Sequence, residues 1–552
     1  MSKLVVGEEY KTIGAAIAAA SAGDVVQVRP GTYHEVVVLD KPGVTVLGDP
    51  GATIDGRYSP LLFGDAAYTD LNGQPVGKRE LPALTAANAK RGGWVFAGKA
   101  INERGYGAAV RLAAPNVLIQ GLTIRNIPGR AIIVDKEATG AAAVGNRIDF
   151  TYGGAVGVAT GASRVSLRRN IITRSSVKQY DPTRLGAGPG RVQTTVICGG
   201  SDVEIVENIV ALNEGEGISA DKYSERTLIQ GNVIFAHRHW GLGVNGAVDP
   251  RIIGNIVYSP ENLYDVFDKE HPADLFVIGN EQGDEDPRKA VTRGAVIRDN
   301  LFVGGKRTFL VGGGGRPVQF VDSEIRNNTI VGLATPGKER PTFTWTVMAN
   351  MPHKNTAVTD NIILWQEGAS GISYQPGGDV RWARNLSSST PPSGMRGEGD
   401  VVAKDAALVN PFAAILAIEA FDVTSPELPN VETTFDIDNY RPIANGSAVR
   451  PDGNVFGALG PLGAGEPEPP IEPEPPVEPE PPVEPEPPVE PPDEPIPWRM
   501  QLEERERGLV ANCEAYASGN PAGLPGHNLM LLVDKMAKAL DKAAEAVLGI
   551  EE

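Results

Sequence analysis

Apolar residues in the first 460 positions recur with a period of two, in runs of three to five that Gly, Asn or Asp interrupt. This pattern predicts many short strands and no long amphipathic helix. One exception lies near the start, where Ile13, Ala16, Ile17 and Ala20 fall on one face of a short helix that Thr12 can cap.

The strands belong to a larger repeat. Segments of the form apolar, x, polar or Gly, Asn, x, apolar return as AVGNRI, LRRNII, IVENIV, IQGNVI, IIGNIV, IRDNLF, IRNNTI and VTDNII, which places Asn146, Asn170, Asn208, Asn232, Asn255, Asn300, Asn328 and Asn361 at equivalent points. An earlier IQGLTI carries Leu122 there. The tightest spacings are 24 and 23 residues, and longer ones leave room for loops. Such a period with strands and no helical stripe describes a β-solenoid. Asn tolerates the left-handed backbone of a tight bend, and stacked Asn amides can donate and accept between coils. The asparagines are therefore read as structural, with the left-handed residue placed at Asn itself.

Aligning one strand of successive coils gives AIIVDK, AVGVAT, TVICGG, GISADK and GLGVNG. Alternation puts Val134, Val158, Cys198, Ala220 and Val244 inward, and Ile133, Gly157, Ile197, Ser219 and Gly243 outward. Cys198 then reads as a small core residue.

On these repeats the chain resembles the right-handed parallel β-helix proteins of the pectin-lyase-like fold, over roughly residues 5 to 460. The opening TIGAAIAAASAGDVVQVRPGTYHEVVVLDKPGVTVLGDPGATIDG is similar to the family's first coils, and FDIDNYRPIANGSAVRPDGNVFGALG is similar to its closing coil. A solenoid needs both ends covered, because an open terminal coil exposes a pairing edge. The resemblance implies a carbohydrate-directed scaffold. It does not bring the lyase residues with it, since the outward positions above are small and nearly uncharged where such enzymes carry calcium ligands and a base. No paired-aspartate motif of the polygalacturonase-like hydrolases is found.

Polar groups gather instead at the corners. NEGEG supplies Glu214 and Glu216, and the equivalent HRHWG supplies His237, Arg238, His239 and Trp240. As stacked neighbours these could grip a sugar by ring stacking and charge-assisted hydrogen bonds, with Trp240 as an exposed platform, or provide an acid and a base. Secondary patches are Asp221 with Lys222, and Asp265, Asp268, Lys269 and His271 within ENLYDVFDKEHPAD. The plainer reading of each is a solvated turn or surface ion pair. Insertions at about 57 to 110, 175 to 193 and 259 to 292 could wall a groove or contact neighbouring subunits.

The end of the chain is different. Residues 461–497, including EPEPPIEPEPPVEPEPPVEPEPPVEPP, cannot join a sheet or continue a helix, because Pro fixes φ and removes donors. A polyproline II stalk with a reach of roughly 3 Å per residue is predicted. Residues 498–552 return to a helical pattern. Leu529, Val533, Met536, Leu540, Ala543 and Val547 are spaced 4, 3, 4, 3 and 4 apart, an a/d seam on the second arm of a helical hairpin. So small a unit needs a partner, either copies of itself or a docking surface. The expected organisation is thus a cap and first coils over 1–60, a β-helix body over 61–460, the linker, and the hairpin as anchor or oligomerisation module.

Composition narrows the function. A net charge of −18 argues against nucleic acid, and no apolar stretch is long enough for membrane insertion. Two cysteines exclude a disulfide framework, and no metal or cofactor motif is present. The run LVV near the start is too short for an export signal. A β-helix held on a stalk resembles the spikes, fibres and decorations of tailed bacteriophages, which implies a virion location and a capsid, tail or self partner for the C-terminal helices. Such an appendage either binds bacterial surface polysaccharide or simply decorates the particle. A polysaccharide lyase or glycoside hydrolase and a bacterial surface or assembly protein stay open as alternatives.

Overall fold

The computed structural model describes residues 2–56, 94–96, 99–101, 108–127, 129–151, 153–176, 194–221, 224–259, 274–278, 291–312, 319–334, 341–346, 352–413, 415, 435–443, 446–450 and 454–461. Three parallel sheets of 14, 13 and 11 strands run along them. Each coil contributes one strand to each sheet in turn, as in Leu118–Gln120, Thr123–Ile127 and Arg130–Val134. Strands one coil apart pair in parallel and in register, Ile119 with Ala143 and Ile124 with Ile148. The body is the right-handed parallel β-helix expected. The predicted stalk and the seam from Leu529 to Val547 lie outside the described residues.

The spine is a ladder of asparagines between the first and second sheets. Asn208 shows the pattern: its Nδ2 donates to Asn232 Oδ1 at 3.0 Å and to Leu167 O of the preceding coil at 2.9 Å, while its backbone N donates to Asn232 Oδ1 at 2.9 Å. The same bonds join all eight expected asparagines, and each of these side chains is buried. A ninth rung, Asn385, accepts from Asn361, and its own backbone N donates to Asp400 Oδ1 at 2.8 Å. At the other end Leu122 donates its backbone N to Asn146 Oδ1 at 3.1 Å. Every amide is thus satisfied inside the protein, as a buried polar group must be.

The left-handed residue is not the asparagine. It is the residue before it: Gly121, Gly145, Arg169, Glu207, Gly231, Gly254, Asp299, Asn327, Asp360 and Arg384 all have positive φ. The two-residue bend divides its work, one residue reversing the chain and the next bridging to the coil above. Because the first points outward, its identity varies. The second is enclosed and stays Asn.

Inward positions of all three sheets form one aliphatic column in which Val134, Val158, Cys198, Ala220 and Val244 stack as expected. Burial pushes the Cys198 thiol up to about 11, which suits an inert core residue. Toward the far end the column turns aromatic, with Phe276, Phe302, Phe309, Phe343 and Trp345 packed ring to ring. At the start the helix Ile13–Ala19 buries Ile13, Ala16 and Ile17, with Thr12 accepting from Ala15 N. Both Glu35 oxygens accept from the first helical N–H groups at 2.8 Å, and Lys41 donates to the carbonyls of Ala18 and Ala20. Charge at each terminus complements the helix dipole.

Two expectations are corrected. The segment FDIDNYRPIANGSAVRPDGNVFGALG does not form a closing coil; its described residues lie along the outside of the second sheet. Leu408, Tyr440, Ala448 and Phe456 pack on Ala211, Phe235, Tyr258, Val331 and Leu364, and Tyr258 is stacked between Phe235 and Phe435. Arg450 and Arg384 both pair with Asp360. The far end of the core is closed instead by Trp382 and Met395, the latter on a short 3-10 turn, Ser393–Met395. The second correction is a strand, Asp274–Ile278, inside the stretch 259 to 292, paired with Trp240–Val244 and Phe309–Val311. That stretch is therefore two connections separated by a strand of the third sheet.

Replacing Asn232 by Ala leaves the backbone N and Nδ2 of Asn208 and the carbonyl of Ile205 without their partner. We expect a loss of about 2–5 kcal/mol, seen as an earlier melting transition by circular dichroism. An unchanged transition would deny the ladder its structural role.

Candidate functional site

The corners NEGEG and HRHWG are stacked neighbours, as expected. Ile209–Asn213 pairs with Val233–His237, Asn213 opposite His237, and Glu216–Ala220 pairs with Trp240–Val244. Leu212 and Ala236 take positive φ, which turns the chain from the second sheet into the third. Arg238 Nη1 donates to Glu214 Oε2 at 2.8 Å. Glu216 Oε2 accepts from the Thr194 hydroxyl, and its Oε1 lies 3.8 Å from His239 Nδ1. His237 Nε2 donates to Val210 O at 2.9 Å, which sets the tautomer, since a carbonyl can only accept. Burial pushes His237 down to about 4, so the ring is neutral near pH 7.

The cluster is more enclosed than the sequence suggests. Glu214, Glu216 and His237 are buried, and Trp240 is 5% exposed. Trp240 is therefore not the exposed stacking platform expected. A two-residue corner gives it no reach, its strand is held in register with the next coil at Asp274, and the indole lies back against Val277 and Leu310 and over the space a Cβ on Gly243 would take. His239 stands edge-on to it with ring centroids 4.9 Å apart and keeps a side-chain exposure of 34%, which makes it the solvent-facing member.

Other candidates are not brought into this cluster. Asp221 follows Ala220 at the opposite end of the strand, where its backbone N donates to Cys198 O. Lys222, Asp265, Asp268, Lys269 and His271 lie outside the described residues. A buried pair that the sequence reading missed occupies the same column of corners: Arg174 Nε donates to Asp149 Oδ1 at 2.9 Å, Thr173 donates to the same oxygen, and the guanidinium lies 5.5 Å from the Phe150 ring. The signal was available, since Asp149 and Arg174 sit about one repeat apart. Among the described residues no group of three His, Cys, Asp or Glu is arranged to hold a metal ion.

Connections show which face is free to vary. From Gln120 onward, every link between the first and second sheets is two residues long. Between strands of different sheets, the long connections lie on either side of the third: 56–107, 176–193, 259–273 and 333–340 lead into it, and 279–290, 312–318 and 346–353 lead out. The outer face of that sheet is thus the one flanked by insertions. It presents Ile133, Gly157, Ile197, Ser219, Gly243, Val277 and Leu310.

No protein-family model matches the chain, and no curated protein matches it in sequence. Solved structures similar to it include PfbA, a surface adhesin of Streptococcus pneumoniae, at 12% identity and TM-score 0.44, covering 68% of this chain and 82% of that one. The Dettilon tailspike protein is similar at 14% identity and TM-score 0.41, covering 72% and 66%. The catalytic unit of an α-1,3-glucanase from Streptomyces thermodiastaticus is similar at 12% identity and TM-score 0.42, again covering 72% and 66%.

His237 and the buried His353, also pushed down to about 4, give the body an acid limit. In the unfolded chain both titrate near 6.5, so below that pH the unfolded state takes up protons that the folded state refuses, and stability is lost as pH falls from about 6.5 toward 4. Each contributes on the order of 3 kcal/mol at pH 4. Melting temperatures between pH 7 and pH 4 should fall less steeply in His237→Gln than in the parent; equal slopes would contradict the assignment.

Proposed function

We propose that the chain is a virion appendage whose β-helix binds glycan on the outer face of the third sheet, and whose C-terminal helices fasten it to a capsid or tail protein. The observation that carries the glycan-binding part is the placement of the long connections. They flank one face, and that face offers small and apolar side chains with an aromatic and polar cluster at its margin. Carbohydrate sites combine such surfaces with a few oriented polar groups. The attachment part follows from the sequence beyond residue 461, where a Pro/Glu stretch leads to the seam Leu529, Val533, Met536, Leu540, Ala543 and Val547.

A second reading, polysaccharide cleavage, draws on Glu216 and His239. A carboxylate and an imidazole 3.8 Å apart can exchange a proton with a substrate hydroxyl. Release of new reducing or unsaturated ends from a bound polysaccharide, lost in His239→Ala, would favour it over binding alone.

The appendage reading is tested on particles. Mass spectrometry of purified virions should find the full chain, and a chain lacking residues 498–552 should remain soluble and folded yet be absent from them. Normal incorporation of the shortened chain would move the attachment to the β-helix body.

A further inference from the structure

We infer that Ser219 and Trp240 bind one uncharged sugar residue on the outer face of the third sheet, so that the glycan recognised is neutral rather than acidic. This rests on the glycan-binding reading above and adds the ligand's charge class and the atoms that meet it.

Ser219 points outward from Glu216–Ala220, and Trp240 opens the neighbouring strand. Ser219 Oγ and Trp240 Nε1 are both buried, and neither has a hydrogen-bond partner. They converge on one point: a Cβ built on Gly243 would lie 3.0 Å from Nε1 and 3.4 Å from Oγ. A buried polar group without a partner costs about 1–3 kcal/mol, so two side by side call for a common partner. The indole N–H only donates, whereas the serine hydroxyl donates or accepts. A sugar hydroxyl answers both, accepting from the indole and exchanging a hydrogen bond with the serine. Val277 and Leu310 pack with the indole and are buried with it, which fixes the ring, and Gly243 leaves the space beside Nε1 and Oγ without a Cβ.

Charge decides the class of sugar. Glu214 and Glu216 are buried in these same two coils, with Arg238 engaged by Glu214 and the Thr194 hydroxyl by Glu216. A uronate or sulfate brought here would find Arg238 already paired with Glu214 and would face the carboxylate of Glu216, which like charge makes unfavourable. A neutral hydroxyl needs no counter-ion.

The test uses the full chain and affinity electrophoresis in gels containing dextran, mannan or xylan as neutral probes, and polygalacturonate or chondroitin sulfate as acidic ones. We expect retardation by a neutral probe, weakened about tenfold in both Ser219→Ala and Trp240→Phe, each of which removes one hydrogen bond and keeps most of the shape. Melting temperatures are measured alongside, and should Trp240→Phe unfold, Ser219→Ala alone decides. Stronger retardation by an acidic probe would overturn the charge class and leave the glycan reading standing. Neutral retardation unchanged in a folded variant would overturn the assigned atoms. Retardation by none of the five would overturn the glycan reading and this inference together.

Discussion

A buried amide that is satisfied by its own counterpart and by backbone groups of the neighbouring coils fixes this molecule. Each asparagine inside the ladder, Asn170 to Asn361, gives both Nδ2 hydrogens and receives two hydrogen bonds at Oδ1, so no such rung can be removed without orphaning groups above and below it. The ladder therefore sets the register of the strands on both sides. It also fixes the length of the bend: one residue reverses the chain, and the next must be the asparagine. That corner cannot grow.

Variation is consequently confined to the other two corners, and both border the third sheet. The face between them is where connections lengthen, where an indole and a hydroxyl lie without partners, and where His239 reaches solvent. The opposite constraint holds on the second sheet. Its outer residues Ala211, Phe235, Tyr258, Val331 and Leu364 are covered by the chain that returns from residue 403 onward. One outer face is thus covered by the returning chain and another is bordered by the long connections, and the ladder lies along the margin of the covered sheet.

Much of the fold was legible because the ladder is periodic in sequence. The eight asparagines, the helix capped by Thr12 and the inward stack through Cys198 could be read from spacing and alternation alone. Asn385 escaped because WARNLSS breaks the motif, although it lies 24 residues after Asn361. The left-handed residue was misassigned because Asn is tolerant of that conformation, while a charged Arg169 or Glu207 beside it gives no local hint. The returning segment could have been anticipated from runs such as LFV and IIL, which are apolar on both faces and so need cover on both. The candidate site was legible only as a juxtaposition. Which residues share a corner follows from the repeat, but whether Trp240 projects or folds back depends on a two-residue turn and on the neighbouring coil's Val277 and Leu310, and neither is visible in the motif itself.

The central claim is that the ladder corner is closed to change while the corners beside the third sheet are open to it. Inserting the same six-residue Gly/Ser segment at two places tests this directly, once between Gly231 and Asn232 and once within 313–318, with folding followed by circular dichroism and limited proteolysis. The account predicts a cooperatively melting, protease-resistant body for the second insertion and loss of it for the first, since a flexible loop costs little where the scaffold does not need the connection. A ladder insertion that melts like the parent would contradict it.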